Sequence, residues 1–310
     1  MSFSLITNGS PAVTEPPEAL ETVIPWWSFT KTVLAATALT LVRDGLVGLD
    51  DQVAEGPFTL RQLLRHQAGL ADYSELPEYH TAVASGARPW PADEMLLRLD
   101  ATRLRYTPGE GWRYSNVGYL FVTRLIERLT GLSLEEALVQ RVLSPLGITR
   151  ARLANAGEDM QVACQGIAPG YDPGWVYHRL LIGPLADAAL LLDRLLSGNL
   201  LPHGLLEDMQ AALVLGGPLP GRPWLTPGYG LGLMRGGVAG GLTLSGHNGV
   251  GPGSVVAVYR CTHGEAAVTC AVFHEGPDEA LVEAELVQRI TSGLDPANTA
   301  LPAKAAPTSS

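Results

Sequence analysis

The feature that most restricts how this chain can fold is a change of hydrophobic period partway along it. Between about residues 28 and 214, apolar side chains recur at helical spacing, which predicts helices over 28–43, 59–66, 92–100, 116–130, 133–143, 185–197 and 203–214. Turn punctuation such as Thr107-Pro108-Gly109 and Ala168-Pro169-Gly170 separates several of them. After about residue 225 Gly, Val and Thr take over. Segments 254–260 and 266–273 read as strands joined by the turn Thr262-His263-Gly264-Glu265, and 279–290 is again helical. At the start, 3–6 alternates like a strand before an Asn8-Gly9 turn. This order has no regular βαβ alternation and no internal repeat. It predicts an α+β fold: an antiparallel β-sheet flanked by helices, with a mostly helical domain inserted. Residues 1–45 and 225–293 are assigned to the sheet domain, 46–224 to the helical domain and 294–310 to a flexible tail.

Composition enters as a set of exclusions. With 46% apolar and 17% charged residues among 310, the chain has material for a large core and is not disordered. A net charge of −10 without a basic run excludes the footprint of a nucleic-acid binder. No apolar stretch reaches eighteen residues, so no membrane span is expected. The first twenty residues lack the basic and apolar parts of a secretory signal, and a cytoplasmic location is the expectation. Cys164, Cys261 and Cys270 form no C-x-x-C pair and read as buried small hydrophobes.

Lysine usage points to chemistry. The chain has 21 basic residues, of which only Lys31 and Lys304 are lysines. Lys304 lies in the Ala/Pro/Ser-rich tail, whereas Lys31 sits in an apolar segment. Arginine keeps its charge, but a desolvated lysine can lose its proton near neutral pH and act as a base.

Three residues before it, in Trp26-Trp27-Ser28-Phe29-Thr30-Lys31, stands Ser28. On a helix that spacing puts both side chains on one face. A serine at a helix start can attack a carbonyl if a neighbour takes its proton, while its own N–H helps hold the oxyanion. The plainer reading is a helix cap with a lysine reaching solvent, since S-x-x-K alone occurs by chance roughly once in a chain of this size.

Two further segments offer partners. In 105–119 a Pro-Gly turn leads to Tyr114-Ser115-Asn116 and then helix. Tyr114 could share a proton with Lys31, and the Asn116 amide could bind Lys31 and a substrate carbonyl. Taken alone, an aromatic packed on a helix start with Asn as its cap is the simpler account. In Ser245-Gly246-His247-Asn248-Gly249-Val250-Gly251-Pro252-Gly253, glycines around His247 remove bulk just before the strand at 254, so a substrate could approach the backbone and the Val250 N–H.

Together and in this order, the three segments resemble the serine β-lactamase and penicillin-binding-protein superfamily, in the branch that holds class C β-lactamases, D-aminopeptidases and related esterases. The second motif is Tyr114-Ser115-Asn116, and His247-Asn248-Gly249 stands where Lys-Thr-Gly is common. Phe58 to Leu70 is similar to that family's T-I-R-x-L-L-x-H-x-S-G-L stretch, and 107–131 and Ser144-Pro145-Leu146-Gly147 also fit.

The resemblance implies a β-lactamase/transpeptidase-like fold and a serine hydrolase with no metal or cofactor. Ser28 would form an acyl-enzyme, with Lys31 and Tyr114 as proton shuttle. Asn116 and His247 would bind substrate, and Gly249 belongs to the same substrate and oxyanion group. The N–H groups of Ser28 and Val250 would form the oxyanion hole. His66, within the matching stretch, is left out of the site. A neutral His247 in place of lysine shifts the expected substrates from carboxylate-bearing β-lactams toward esters, amides or D-amino-acid derivatives. The alternatives are a D-amino-acid peptidase or amidase, an acyltransferase of the same fold, or a non-catalytic binding protein.

Overall fold

The chain is described here from a computed structural model covering residues 1–155, 157–158 and 160–295. The predicted tail, from residue 296 on, lies outside the described residues. In chain order the elements are β1 (Ser2–Thr7), β2 (Val13–Glu15), β3 (Val23–Pro25), α1 (Thr30–Arg43), α2 (Leu60–Leu64), α3 (Pro77–Ala84), α4 (Ala92–Arg98), α5 (Asn116–Thr130) and α6 (Leu134–Leu138). Then follow β4 (Arg152–Leu153), α7 (Met160–Ala163), β5 (Leu181–Pro184), α8 (Leu185–Leu196), α9 (His203–Gln210), β6 (Leu213–Val214), β7 (Thr226–Tyr229), β8 (Met234–Gly237), β9 (Thr243–Gly251), β10 (Ser254–His263), β11 (Ala266–Glu275) and α10 (Glu279–Gly293).

Among the described residues, eight strands form one sheet in the order β2-β1-β11-β10-β9-β8-β7-β6, with antiparallel neighbours, and β3-β5-β4 form a small second sheet. The fold class is the α+β architecture expected. Strand alternation divides β10 between two layers. Val255, Ala257 and Tyr259 face Val282, Leu286 and Ile290 of α10, while Val256 and Val258 face the larger core that holds α1 and α8. Each fully buried aliphatic side chain contributes about 1.5–3 kcal/mol, so the helices on both faces hold the sheet firmly.

Helix α1 is the central element. Every residue from Thr30 to Leu41 is buried, as suits a helix apolar on all sides. Its threonine hydroxyls are satisfied: Thr37 Oγ1 donates to the Val33 carbonyl at 2.8 Å, and Thr32 Oγ1 to that of Gly232 at 2.7 Å. The second bond ties α1 to the sheet layer.

Four details differ from the sequence reading. Helix α1 begins at Thr30, and Ser28 sits before it in the tight turn Trp27–Phe29. The segment 203–214 stops as helix at Gln210, because Leu213 and Val214 pair with Tyr229 and Gly228 at the sheet edge. Residues 46–224 are not one helical unit: α8 packs on β1, β10 and β11, and β6 joins the sheet. The glycine-rich stretch around His247, placed by the sequence just before the strand at 254, is itself strand β9 of the sheet. Its glycines are set by crowding, since a Cβ on Gly246 would lie 2.0 Å from the Val258 carbonyl oxygen. Among the described residues, no helix is long and apolar enough to cross a membrane.

Candidate active site

The turn that carries Ser28 is held in an uncommon conformation. Trp27, immediately before it, has φ of 41°, a region that bulky residues rarely adopt and keep only when packing over-determines it. That packing is visible. The Trp27 indole N–H donates to Ser254 Oγ at 3.0 Å, and its ring meets Tyr171 edge-on at 5.7 Å. Trp26 is anchored in turn, with its backbone N–H on the Leu181 carbonyl at 2.9 Å and its indole on that of Gly183 at 3.2 Å. Ser28 itself is partly exposed into a cleft.

Lys31 lies one turn on, fully buried, with Nζ donating to Ser28 Oγ at 3.0 Å. Burial pushes its pKa down from 10.5 to about 7, against an opposing pull from the Asp72 carboxylate. A large fraction of the amine is therefore neutral at neutral pH and able to accept a proton.

Tyr114 completes the group. Lys31 Nζ is 4.9 Å from the centre of its ring, and Ser28 hydrogen-bonds its hydroxyl. One part of the ring meets the cleft, yet the dense surroundings push its pKa upward, only partly offset by the Ser28 bond. The phenol therefore keeps its proton, and between the two it is Lys31 that can act as the base. The expected sharing of a proton between the two is thus uneven.

Asn116 is beside this group and lines the cleft, but it does not contact Lys31 as expected. Its backbone N–H and its Nδ2 both donate to the Asp72 carboxylate, the latter at 3.3 Å. Asp72 also accepts from the Ser74 N–H at 2.9 Å, so it ties the 72–75 turn to the start of α5. His66, left out of the sequence-derived site, packs its ring 4.3 Å from that of Tyr114, and its Nδ1 accepts from the Ser115 N–H at 3.2 Å.

Strand β9 closes the other side. Strand β8 pairs with β9 only as far as Gly246, which leaves one edge of residues 247–251 toward Ser28. Residues 252–253 form a two-residue turn, so Gly251 and Ser254 are its closing hydrogen-bonded pair. By antiparallel alternation, the backbone groups of Val250 then point away from β10, to that open edge. Gly249 is what allows the approach: a Cβ there would lie 2.6 Å from Trp27 Cβ and 2.8 Å from Ser28 N.

His247 is placed differently from its expected role. It is fully buried and absent from the cleft wall. A carbonyl can only accept, so Nδ1, which contacts the Asn248 carbonyl, carries the proton; Nε2 then accepts from the Tyr229 hydroxyl at 3.0 Å. Burial pushes its pKa down to about 3, and it stays neutral behind Tyr229. The register puts it on the face of the sheet that packs toward α1 and α8, and Asn248 on the α10 face, where Asn248 Nδ2 donates to Glu279 at 2.8 Å.

The cleft has a volume of about 700 Å³. Ser28, Tyr114, Asn116, Asn248 and Val250 line it together with apolar side chains of Trp112, Leu215, Leu219, Trp224 and Met234. Arg222 and Glu279 also reach it. The Arg222 guanidinium bonds Glu279 at 2.7 Å and the fully buried Glu283, with Nε to Oε2 at 2.7 Å. Among the described residues, no three His, Cys, Asp or Glu side chains are grouped to hold a metal ion.

Besides His66, sequence reasoning missed Asp72, Tyr229 and His178, whose Nε2 is 3.2 Å from Lys31 Nζ. The one trace of His178 in the sequence is a histidine two residues before the apolar run Leu180-Leu181-Ile182, a weak signal by itself.

Comparison with known proteins gives the family and the fold. The family model for beta-lactamases matches residues 1–289. Curated relatives include the lovastatin esterase of Penicillium rubens, 29% identical over 186 residues, or 51% of this chain and 46% of the esterase. A D-aminopeptidase of Brucella anthropi is 34% identical over 140 residues, or 43% of this chain and 26% of that protein. The chain thus matches less than half the length of these relatives. Among solved structures, the D-amino acid amidase of Ochrobactrum anthropi SV3 superposes with a TM-score of 0.77 at 21% identity, covering 94% of this chain and 92% of the amidase. At that identity the likeness speaks for the fold. With the family model spanning nearly all of it, the chain belongs to the beta-lactamase family.

Proposed function

We propose that this protein is a serine hydrolase that cleaves an ester or amide bond through an acyl-enzyme on Ser28. The observation that carries the reading is the buried Lys31 amine, 3.0 Å from Ser28 Oγ with its pKa lowered to about 7. In the first step the Oγ proton passes to Lys31 Nζ while Oγ bonds the acyl carbon and the carbonyl electrons move to oxygen. The N–H groups of Ser28 and Val250 would receive that oxyanion across the gap that Gly249 keeps narrow. As the tetrahedral species collapses, the leaving oxygen or nitrogen takes a proton from the Lys31–Tyr114 pair. Water repeats the sequence to release the acid. An alcohol in its place would make the same site an acyltransferase.

The apolar cleft suits a substrate with a hydrophobic body. Poor turnover of β-lactams follows from the third motif, where His247 offers neither charge nor exposure to a carboxylate. The test is an initial-rate assay of p-nitrophenyl butyrate and nitrocefin on wild type and Ser28→Ala. Ester turnover that vanishes in the variant supports the reading, and undiminished turnover there refutes it. Faster nitrocefin cleavage would make β-lactam hydrolysis the main activity.

One observation favours a narrower reading as an amidase or peptidase of amino-acid derivatives. Two carboxylates, Glu279 and Glu283, share the single Arg222 guanidinium at the cleft wall, which leaves one excess negative charge. An ammonium on the substrate would neutralise it at Glu279. Glu279→Gln should then raise KM for an amino-acid amide and leave that for a simple ester unchanged. A panel of D- and L-amides reads the handedness, and equal KM effects on both substrate types would rule the subsite out.

A further inference from the structure

Lys31 has a polar neighbour that the mechanism above does not use. His178 Nε2 lies 3.2 Å from Lys31 Nζ, and the imidazole is 2% exposed. Its other nitrogen, Nδ1, is buried and makes no hydrogen bond among the described residues. Nearly all buried polar atoms in folded proteins are paired, so an orphan beside a general base marks a residue set by something other than stability. The backbone points the same way. Arg179, the next residue, has φ of 70°, a strained value for a residue with a side chain. That kink feeds the chain into β5, whose Leu181 N–H donates to Thr30 Oγ1 at 3.1 Å and whose Leu181 carbonyl accepts from the Trp26 N–H at 2.9 Å. The His178 segment is therefore stitched to both sides of the Ser28 turn.

Counting protons fixes the direction of the contact. A lysine ammonium has three donors and no acceptor, so toward it Nε2 can only accept. The neutral amine has two N–H bonds and one lone pair. If Nε2–H donated to that lone pair, the amine could not take the Ser28 proton. A ring protonated on Nδ1 accepts from Lys31 in both states, and this tautomer leaves Nδ1–H as the orphan.

We propose that His178 is a positioning residue for the general base: its Nε2 holds one N–H of Lys31 and so leaves the amine lone pair aimed at Ser28 Oγ. The proposal rests on the hydrolase reading above. The groups that face Lys31 are Ser28, His178, the rings of Tyr114 and Tyr119 at 4.9 and 5.8 Å, and His66, His247 and Asp72 through their fields. The three histidines are held neutral by burial, so Asp72 is the charged group acting on Lys31 among them. A neutral acceptor stabilises the ammonium more than the amine, so its loss should lower the Lys31 pKa further.

With two lysines in the chain, ¹³Cε-lysine labelling gives two NMR signals, and Lys31→Met assigns them. The Lys31 signal should titrate near 7 in wild type. In His178→Leu the midpoint should fall by about one unit, and the plateau kcat for p-nitrophenyl butyrate should drop about 10- to 100-fold with KM little changed. His178→Gln, whose amide oxygen can accept, should keep the midpoint and recover much of the rate. His178→Phe serves as a second variant without an acceptor should the leucine protein not fold. An unmoved midpoint in a folded Leu or Phe variant overturns the proposal, as does a glutamine variant that behaves like leucine. Absence of Ser28-dependent turnover in wild type would instead refute the hydrolase reading beneath it.

Discussion

Replacing Gly249 by alanine should disable this site without unfolding the protein. The added methyl would lie 2.6 Å from Trp27 Cβ and 2.8 Å from both Ser28 N and the Trp26 carbonyl oxygen. Carbon atoms prefer a separation of about 3.5–4.0 Å, so β9 and the Ser28 turn must part by about 1 Å. Neither side can yield by a side-chain rotation, because two of the three atoms are backbone and Trp27 is pinned through Ser254. Overpacking of this kind costs about 1–3 kcal/mol, a small loss for a core of this size. The kinetic loss should be larger. The parting separates Ser28 N from Val250, and a 1 Å misplacement of reacting groups costs about 100-fold in rate. The assay is kcat/KM for p-nitrophenyl butyrate beside a thermal melt. Gly204→Ala in α9 is the control: nothing lies within 4 Å of that position, and alanine there should stabilise by about 0.5–1 kcal/mol. A Gly249→Ala enzyme within about threefold of wild-type kcat/KM would refute the idea that this close approach builds the oxyanion site.

Three further outcomes follow from buried charges. Activity should rise with pH through about 7 as Lys31 loses its proton, and a flat profile from pH 5.5 to 8.5 would contradict a lysine base. The same group destabilises the fold, because its folded pKa lies below the unfolded value: the penalty is full below about pH 7, shrinks as pH rises from there, and vanishes near 10.5. Lys31→Met should therefore raise Tm more at pH 6 than at pH 9. Arg222→Leu should lower stability by about 3–5 kcal/mol by leaving the fully buried Glu283 unpaired, whereas Arg222→Leu combined with Glu283→Leu should recover most of it in a denaturant melt.

Ser28 and Lys31 were readable as a pair because their relation is local. Three residues of separation keep them within reach of each other, and the scarcity of lysine singled out Lys31. Tyr114 and Asn116 were readable as a motif, although the partner of Asn116 was not: Asp72 reaches it only after the 72–75 turn folds onto α5. The glycines around His247 were visible too, though not the backbone crowding that requires them. In β9, Gly246 and Gly249 are needed because backbone from β10 and the Ser28 turn presses on them.

Periodicity by itself determined the α+β class, the main helices and the β10–β11 hairpin, since each depends on neighbours within about a dozen residues. Tertiary structure decided which face each side chain would serve. A strand alternates sides with every residue, so pairing Val258 with His247 turned that histidine inward and Asn248 toward α10, a choice the local sequence does not encode. It also brought His178 to Lys31 across 147 residues of chain. The lowered pKa of that lysine belongs to the same level, because desolvation is a property of the packed core and no residue carries it alone.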